Sequence, residues 1–213
     1  MTKYFFDTEF DEDGKTIELI SIGIKCDDGR EYYAVSREFD PLHCNDWVKQ
    51  HVLTKLPPAG DPLWKPRAQI RDEVRAFVDD GPQLKPEFWA YYADYDWVVF
   101  CQLWGKMIDL PPGWPMYCRD IKQLADFFGI LSRDLPEQED ADEHHALRDA
   151  CWNQEAYEFI EKFYSSAKPL FRPDPHGVWE SGYDHGRDDN EKTDCGRADV
   201  IKTQNPYPEP VKR

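Results

Sequence analysis

The stretch Lys3-Tyr4-Phe5-Phe6-Asp7-Thr8-Glu9-Phe10 sets the reading of this 213-residue chain. An aromatic run free of Gly and Pro reads as a β-strand. Strand side chains alternate, so Asp7 and Glu9 point to one face and Thr8 to the other. Two carboxylates this close repel each other unless a cation lies between them. An all-oxygen site of that kind suits Mg²⁺ or Mn²⁺. Alone, an Asp-x-Glu on a strand reads more often as an exposed polar face.

Outward from that strand, the turn cluster Asp11-Glu12-Asp13-Gly14 leads into a second strand over Thr16–Lys25. Its apolar residues occupy both alternating sets, Ile17 and Leu19 against Ile20, Ile22 and Ile24, as expected of a strand covered on both faces. Asp27-Asp28-Gly29 turns the chain into a third strand, Glu31–Ser36. Asn45 or Asp46 caps an expected helix through Trp47, Val48, His51 and Val52. A proline-rich connector, Pro57–Pro66, separates it from an amphipathic helix over Arg67–Val78, whose Ile70, Val74, Phe77 and Val78 recur at three and four. Phe88–Tyr92 reads as a strand and Asp96–Trp104 as the helix that follows it. Tyr117-Cys118 is a brief extended piece, and Asp120 caps a helix over Ile121–Phe128 that Gly129 stops. A last helix is expected from about His144 to Tyr164. Strands first, then helices alternating with strands, give an α/β domain with a mixed sheet. Residues 166–213 are rich in Pro, Gly and Asp with no apolar period, which predicts a polar extension rather than a second domain.

Composition narrows the function. The formal net charge is −16 and aromatics make up 15% of the residues. That aromatic content supports a buried core. The acidity argues against a protein that holds nucleic acid mainly by neutralising phosphates, because that mode leaves a basic footprint. It leaves room for an enzyme that meets phosphates through metal ions, whose site is itself made of carboxylates. Apolar runs such as Trp97–Cys101 fall well short of the roughly 18 residues of a membrane span. The N-terminus turns acidic at Asp7 before a signal sequence could form. The six cysteines contain no Cys-x-x-Cys pair and read as reduced thiols, which points to a cytoplasmic protein without contact to membrane.

Two further acidic elements accompany Asp7 and Glu9. Asp96 lies in Tyr95-Asp96-Trp97, between a strand and a helix, where a carboxylate also serves as a helix cap; neighbouring Asp94 is the alternative cap or ligand. Asp149 ends His144-His145-Ala146-Leu147-Arg148-Asp149. Inside an apolar helix face it is costly unless paired or metal-bound, and its alternative place is the solvated face beside Arg148.

Taken in order, Asp-x-Glu on a first strand, Asp after a later strand and His-x4-Asp on a final helix resemble the DnaQ-like, DEDD superfamily of 3′→5′ exonucleases, histidine branch, over about residues 4–164. Finer detail, in Asp7-Thr8-Glu9-Phe10, Thr16–Gly23, Asp28–Ser36 and Cys101-Gln102-Leu103-Trp104-Gly105, is similar to the ribonuclease AS family of polyadenylate-specific 3′-exoribonucleases of mycobacteria. This resemblance implies an RNase H-like fold in an exonuclease domain at residues 1–165. It implies two Mg²⁺ ions, with Mn²⁺ as substitute, held by Asp7, Glu9, Asp96 and Asp149. Asp7 would bridge the pair, and two cations about 4 Å apart stabilise both oxygens of an in-line displacement. The base would be His144, five residues before Asp149, rather than His145, which stands four before it. Thr8 and Phe10 would hold the terminal nucleotide, Phe10 by stacking on a base or else as core. The expected substrate is single-stranded RNA, adenylate-rich 3′ ends being favoured and nucleoside 5′-monophosphates released; a homodimer is expected from the relatives. The competing expectations are an oligoribonuclease or DNA exonuclease of the same fold, and a catalytically silent RNA-binding module.

Overall fold

The computed structural model describes residues 1–80, 85–139 and 143–166. The expected extension beyond 166 lies outside the described residues.

Strand β1 (Thr2–Glu12) is the hub of a six-stranded sheet. It pairs antiparallel with β2 (Ile17–Cys26), which pairs antiparallel with β3 (Glu31–Ser36). On its other side β1 pairs parallel with β5 (Pro86–Ala90), which pairs parallel with the two-residue β6 (Arg119–Asp120). The two-residue β4 (Trp64–Lys65) lies parallel along β3, giving the order β4-β3-β2-β1-β5-β6. The proline-rich connector thus ends in an edge strand that carries no periodic signal of its own. The expected extended piece at Tyr117-Cys118 is realised two residues later, as β6.

Among the described residues five α-helices complete the fold: α1 (Asp46–His51), α2 (Arg67–Asp79), α3 (Asp94–Gln102), α4 (Ile121–Phe127) and α5 (Ala146–Ser166). Both anticipated caps form. The Asn45 side chain accepts from the Val48 N–H, and that of Asp120 accepts from Gln123 N–H. The mixed α/β class expected of the sequence is therefore the class observed.

The alternation read in β1 decides which helices cover which face. Tyr4 and Phe6 pack with Ile22, Ile24, Ile70, Val74 and Phe100, so α2 and α3 lie on one face. Phe5 packs with Trp89, Ile121, Ala125, Tyr157 and Ile160, so α4 and α5 lie on the other. A smaller cluster of Ile20, Val35, Val48 and Val52 seats α1. Leu19, Ile20, Ile22 and Ile24 of β2 are all fully buried, as expected of a strand covered twice, and each contributes about 1.5–3 kcal/mol by leaving water. Among the described residues no helix is long and apolar enough to cross a membrane.

Helix α5 approaches the sheet more closely than its neighbours' side chains would ordinarily permit. Its sheet-facing positions are small or narrow: Ala146, Ala150, Asn153 and Ala156 are all buried. At its first turn it meets Gly23 of β2. A Cβ on Gly23 would stand 2.3 Å from the backbone of Ala146 and Leu147. Gly23 is the ladder partner of Asp7. A glycine opposite the first carboxylate thus lets α5 come down onto the strand pair that carries it.

Candidate active site

The β1–β5 ladder ends at Phe5 and Trp89, while β1 runs on to Glu12. Beyond that point β1 has a strand neighbour only on its β2 side. The residues that line the opening there are Asp7, Thr8 and Glu9. The Thr8 N–H, past the end of the ladder, donates to Asp96 Oδ1 at 2.9 Å, and the Thr8 hydroxyl donates to the same oxygen at 2.6 Å. Asp96 sits in the first turn of α3, which starts four residues after β5 ends, so the divergence of β5 is what brings it there. A register shift between Glu9 and Phe10 bends the strand at the rim of this opening.

From the other face α5 delivers Asp149. Its N–H bonds the His145 carbonyl in the helix's opening turn, and Gln138 Nε2 donates to Asp149 Oδ1 at 2.5 Å. Asn153, one turn on, donates to the Phe6 carbonyl at 2.9 Å and ties the helix to the strand just before Asp7. Asp7, Glu9 and Asp149 thereby bring carboxylate oxygens within 4.8 Å of one another. Asp96 stands outside that tight trio but lines the same cleft, of about 690 Å³, with His144 and Phe10.

Burial and mutual repulsion make these four acids hard to ionise. Burial is the largest influence on Asp7, followed by the charges of Asp96, Glu9 and Asp149, and holds it well above the ordinary carboxylate range. Glu9 is pushed up to about 8 by burial and by the charge of Asp149. Asp96 is raised to about 6 by burial, against the two Thr8 bonds that favour its charged form. Asp149 is raised by burial, with the Gln138 bond and His144 opposing. Among the described residues the cleft lining includes two more acids, Glu137 and Glu143, and no Lys or Arg. Carboxylates so crowded, with oxygens close enough to share a ligand, fit a hard divalent cation. Any of the six lining acids could serve as ligand, and the tight trio is the set already assembled.

Each residue expected at the site is accounted for. Asp7, Glu9, Asp96 and Asp149 converge from opposite faces onto one cleft. Asp149 lines the cleft rather than the solvated face beside Arg148, and Asp94 is exposed at the start of α3, outside the cleft lining. His144 precedes α5 rather than opening it, in a turn with φ of 59°, and the helix starts at Ala146. Its ring meets the edge of Trp47 at 4.9 Å, and the Lys55 ammonium bonds the carbonyl of the preceding Glu143. His145 points elsewhere and stacks on Tyr33 at 4.5 Å. Thr8 is buried and turned toward α3, where it holds Asp96. Phe10 packs against the core and also lines the cleft. Tyr91 lines the cleft, Trp97 is core and Tyr92 is exposed.

The sequence reading missed Gln138, Trp152 and Asn153. Trp152 and Asn153 lie three and four residues beyond Asp149, so helical spacing from that carboxylate would have found them. Gln138 comes from an irregular segment and left no periodic trace.

Comparison with known proteins places this geometry in context. The profile of the 3′-5′ exoribonuclease Rv2179c-like domain matches residues 2–161. The 3′-5′ exoribonuclease Rv2179c of Mycobacterium tuberculosis strain H37Rv is 50% identical over 148 residues, 70% of this chain and 86% of the relative. The 3′-5′ exoribonuclease MT2234.1 of strain CDC 1551 matches to the same extent. Among solved structures, E. coli exonuclease I in complex with an oligonucleotide aligns at a TM-score of 0.47 and 12% identity, over 77% of this chain and 42% of that one. Cell-death related nuclease 4 aligns at 0.42 and 12%, over 78% of this chain and 65% of that one.

Proposed function

Since the chain belongs to the Rv2179c-like family of 3′-5′ exoribonuclease domains, we propose that it hydrolyses single-stranded RNA from the 3′ end with two Mg²⁺ ions, releasing nucleoside 5′-monophosphates. The observation that carries this reading is the convergence of Asp7, Glu9 and Asp149 within 4.8 Å, with Asp96 and His144 in the same cleft. These four carboxylates would hold the ions, and Mn²⁺ would substitute, since both are hard cations that take oxygen ligands. Bound there, divalent cations supply an acidified water and neutralise charge on the phosphate.

The chain's own side chains do the rest. Thr8 fixes the carboxylate of Asp96, and Gln138 that of Asp149, so both ligands are oriented before substrate arrives. His144, held at the cleft by the turn before α5, takes the proton of the attacking water. As the water oxygen bonds to phosphorus, the bond from phosphorus to the 3′-oxygen of the preceding nucleotide breaks, and the terminal nucleotide leaves as its 5′-monophosphate. Phe10 offers a ring to the terminal base.

Adenylate-rich ends are the proposed substrate, by likeness to the family. Residues 1–165 carry the activity in this proposal, with residues 166–213 as a polar extension. The protein acts in the cytoplasm as a homodimer; the five described cysteines, all free thiols, suit a reducing compartment. The test is nucleotide release from oligo(A), oligo(U), oligo(C) and single-stranded DNA, with Mg²⁺ and then EDTA. Release of AMP from oligo(A), fastest of the four and abolished reversibly by EDTA, is expected. Equal rates on all RNAs would favour an oligoribonuclease, faster cleavage of DNA a DNA exonuclease, and no release a silent binder.

A further inference from the structure

We infer that RNA upstream of the scissile bond leaves the active site over the stacked rings of Phe10 and Tyr95 and lies in a second cleft, between the β1–β2 turn and the outer face of α3. The inference deepens the exoribonuclease reading above and rests on it. An exonuclease that swallows a 3′ end must let the remaining strand out, and single strands are held by aromatic faces for their bases and cations for their phosphates.

The second cleft, of about 540 Å³, has Tyr95, Val98 and Gln102 in its lining together with two cations, Lys15 and Arg67, and two acids, Glu12 and Glu18. Tyr95, Val98 and Gln102 recur at three and four along α3, so they form one stripe of that helix. Two of them are large apolar side chains left open to solvent, Tyr95 at 55% and Val98 at 49%. The ring of Tyr95 lies parallel to that of Phe10, with centroids 5.8 Å apart and planes at 10°. Since Phe10 lines the first cleft and Tyr95 the second, one aromatic pair joins the two.

Charge favours the path. Among the described residues the lining of the first cleft contains no Lys or Arg, and Lys55 reaches its rim only on the α1 side, at the Glu143 carbonyl; past the aromatic pair a strand meets Lys15 and Arg67. Arg67 there shares its charge with Glu18 at 3.2 Å, whereas the Lys15 ammonium has no ion pair among the described residues. A rival exit past Trp152 is a smaller cleft of about 200 Å³, where Glu137, Glu139 and Glu155 outnumber Arg148 and would repel a polyanion.

The test is steady-state kinetics of the full chain on diadenylate and on a six-residue oligo(A), with Mg²⁺. Tyr95→Ala and Lys15→Glu are each expected to raise KM for the hexamer about tenfold, the scale of one lost stacking or phosphate contact, and to change KM for the dimer less than twofold. Tyr95→Phe, which keeps the ring, should behave as wild type. A hexamer KM unmoved in both variants, or moved equally for the two lengths, overturns the inference. A wild-type enzyme that releases no AMP from either length overturns the exoribonuclease reading, and the inference with it.

Discussion

Two histidines that are adjacent in sequence part company in space. His144 lines the cleft in a left-handed turn that a non-glycine residue adopts only under constraint, while His145 packs its ring on Tyr33. His144→Ala should therefore lower kcat on oligo(A) about 10²–10⁴-fold, the usual contribution of a general base, and His145→Ala far less. Rapid-quench or steady-state rates decide this, and the reverse ranking would make His145 the base. Asp149→Asn should abolish hydrolysis and leave the circular dichroism spectrum unchanged, because it removes a charge from a crowded cluster without changing shape. Nucleotide release at the wild-type rate in that variant would remove Asp149 from the ligand set. At this scale the sequence was informative through the order of its motifs: Asp-x-Glu on a strand and His-x4-Asp at a helix start are ambiguous singly, and it was their succession, through the resemblance to the exonuclease superfamily, that grouped Asp7, Glu9, Asp96, His144 and Asp149. Thr8 was legible only in part. Its place beside the acidic residues was visible, but its two bonds to Asp96 depend on where β5 ends, which no local pattern encodes.

Elements, rather than residues, set the distance between the two halves of the site. Asp7 and Glu9 belong to a strand and Asp149 to a helix more than a hundred residues later; the first turn of that helix meets the sheet at Gly23, the partner of Asp7 on the neighbouring strand β2. Gly23→Ala should push α5 outward, because a methyl group 2.3 Å from helix backbone cannot be absorbed by a side-chain rotation. Overpacking of this kind costs about 1–3 kcal/mol. The expected outcome is a lower midpoint in denaturant together with weaker Mn²⁺ binding by calorimetry; full metal affinity in this variant would show that the helix is not held by that contact. The strands and the capped helices were legible because each carries its own period and its own punctuation. Two-residue strands β4 and β6 were not, since pairing with β3 and β5 defines them and nothing local does. The helix start at Ala146 was missed by two residues for a related reason: the turn at His144 is held from outside the segment, by Lys55 and Trp47.

For the whole molecule, a cluster of buried acids makes stability depend on pH in an uncommon direction. Burial and neighbouring charges lift Glu9 to about 8 and Asp96 to about 6, above their unfolded values. Groups raised on folding bind protons more readily in the native state, so their contribution is complete below the unfolded pKa, roughly 4, and disappears as pH climbs through the folded value. In EDTA the melting temperature should thus fall between about pH 5 and pH 8, and saturating Mg²⁺ should recover the loss by favouring the charged carboxylates. Differential scanning fluorimetry across that range tests it; a metal-free melting temperature that rises with pH would mean the acids are not crowded in solution. Both this behaviour and the proposed catalysis follow from a single arrangement, in which Asp7, Glu9, Asp96 and Asp149 line one cleft, where the proposal has them hold a pair of divalent cations. Anomalous scattering from a crystal soaked in Mn²⁺ and AMP examines that arrangement most directly. Two peaks ringed by these four carboxylates, beside the nucleotide phosphate, are predicted; an empty cleft, or manganese bound elsewhere on the chain, would contradict it.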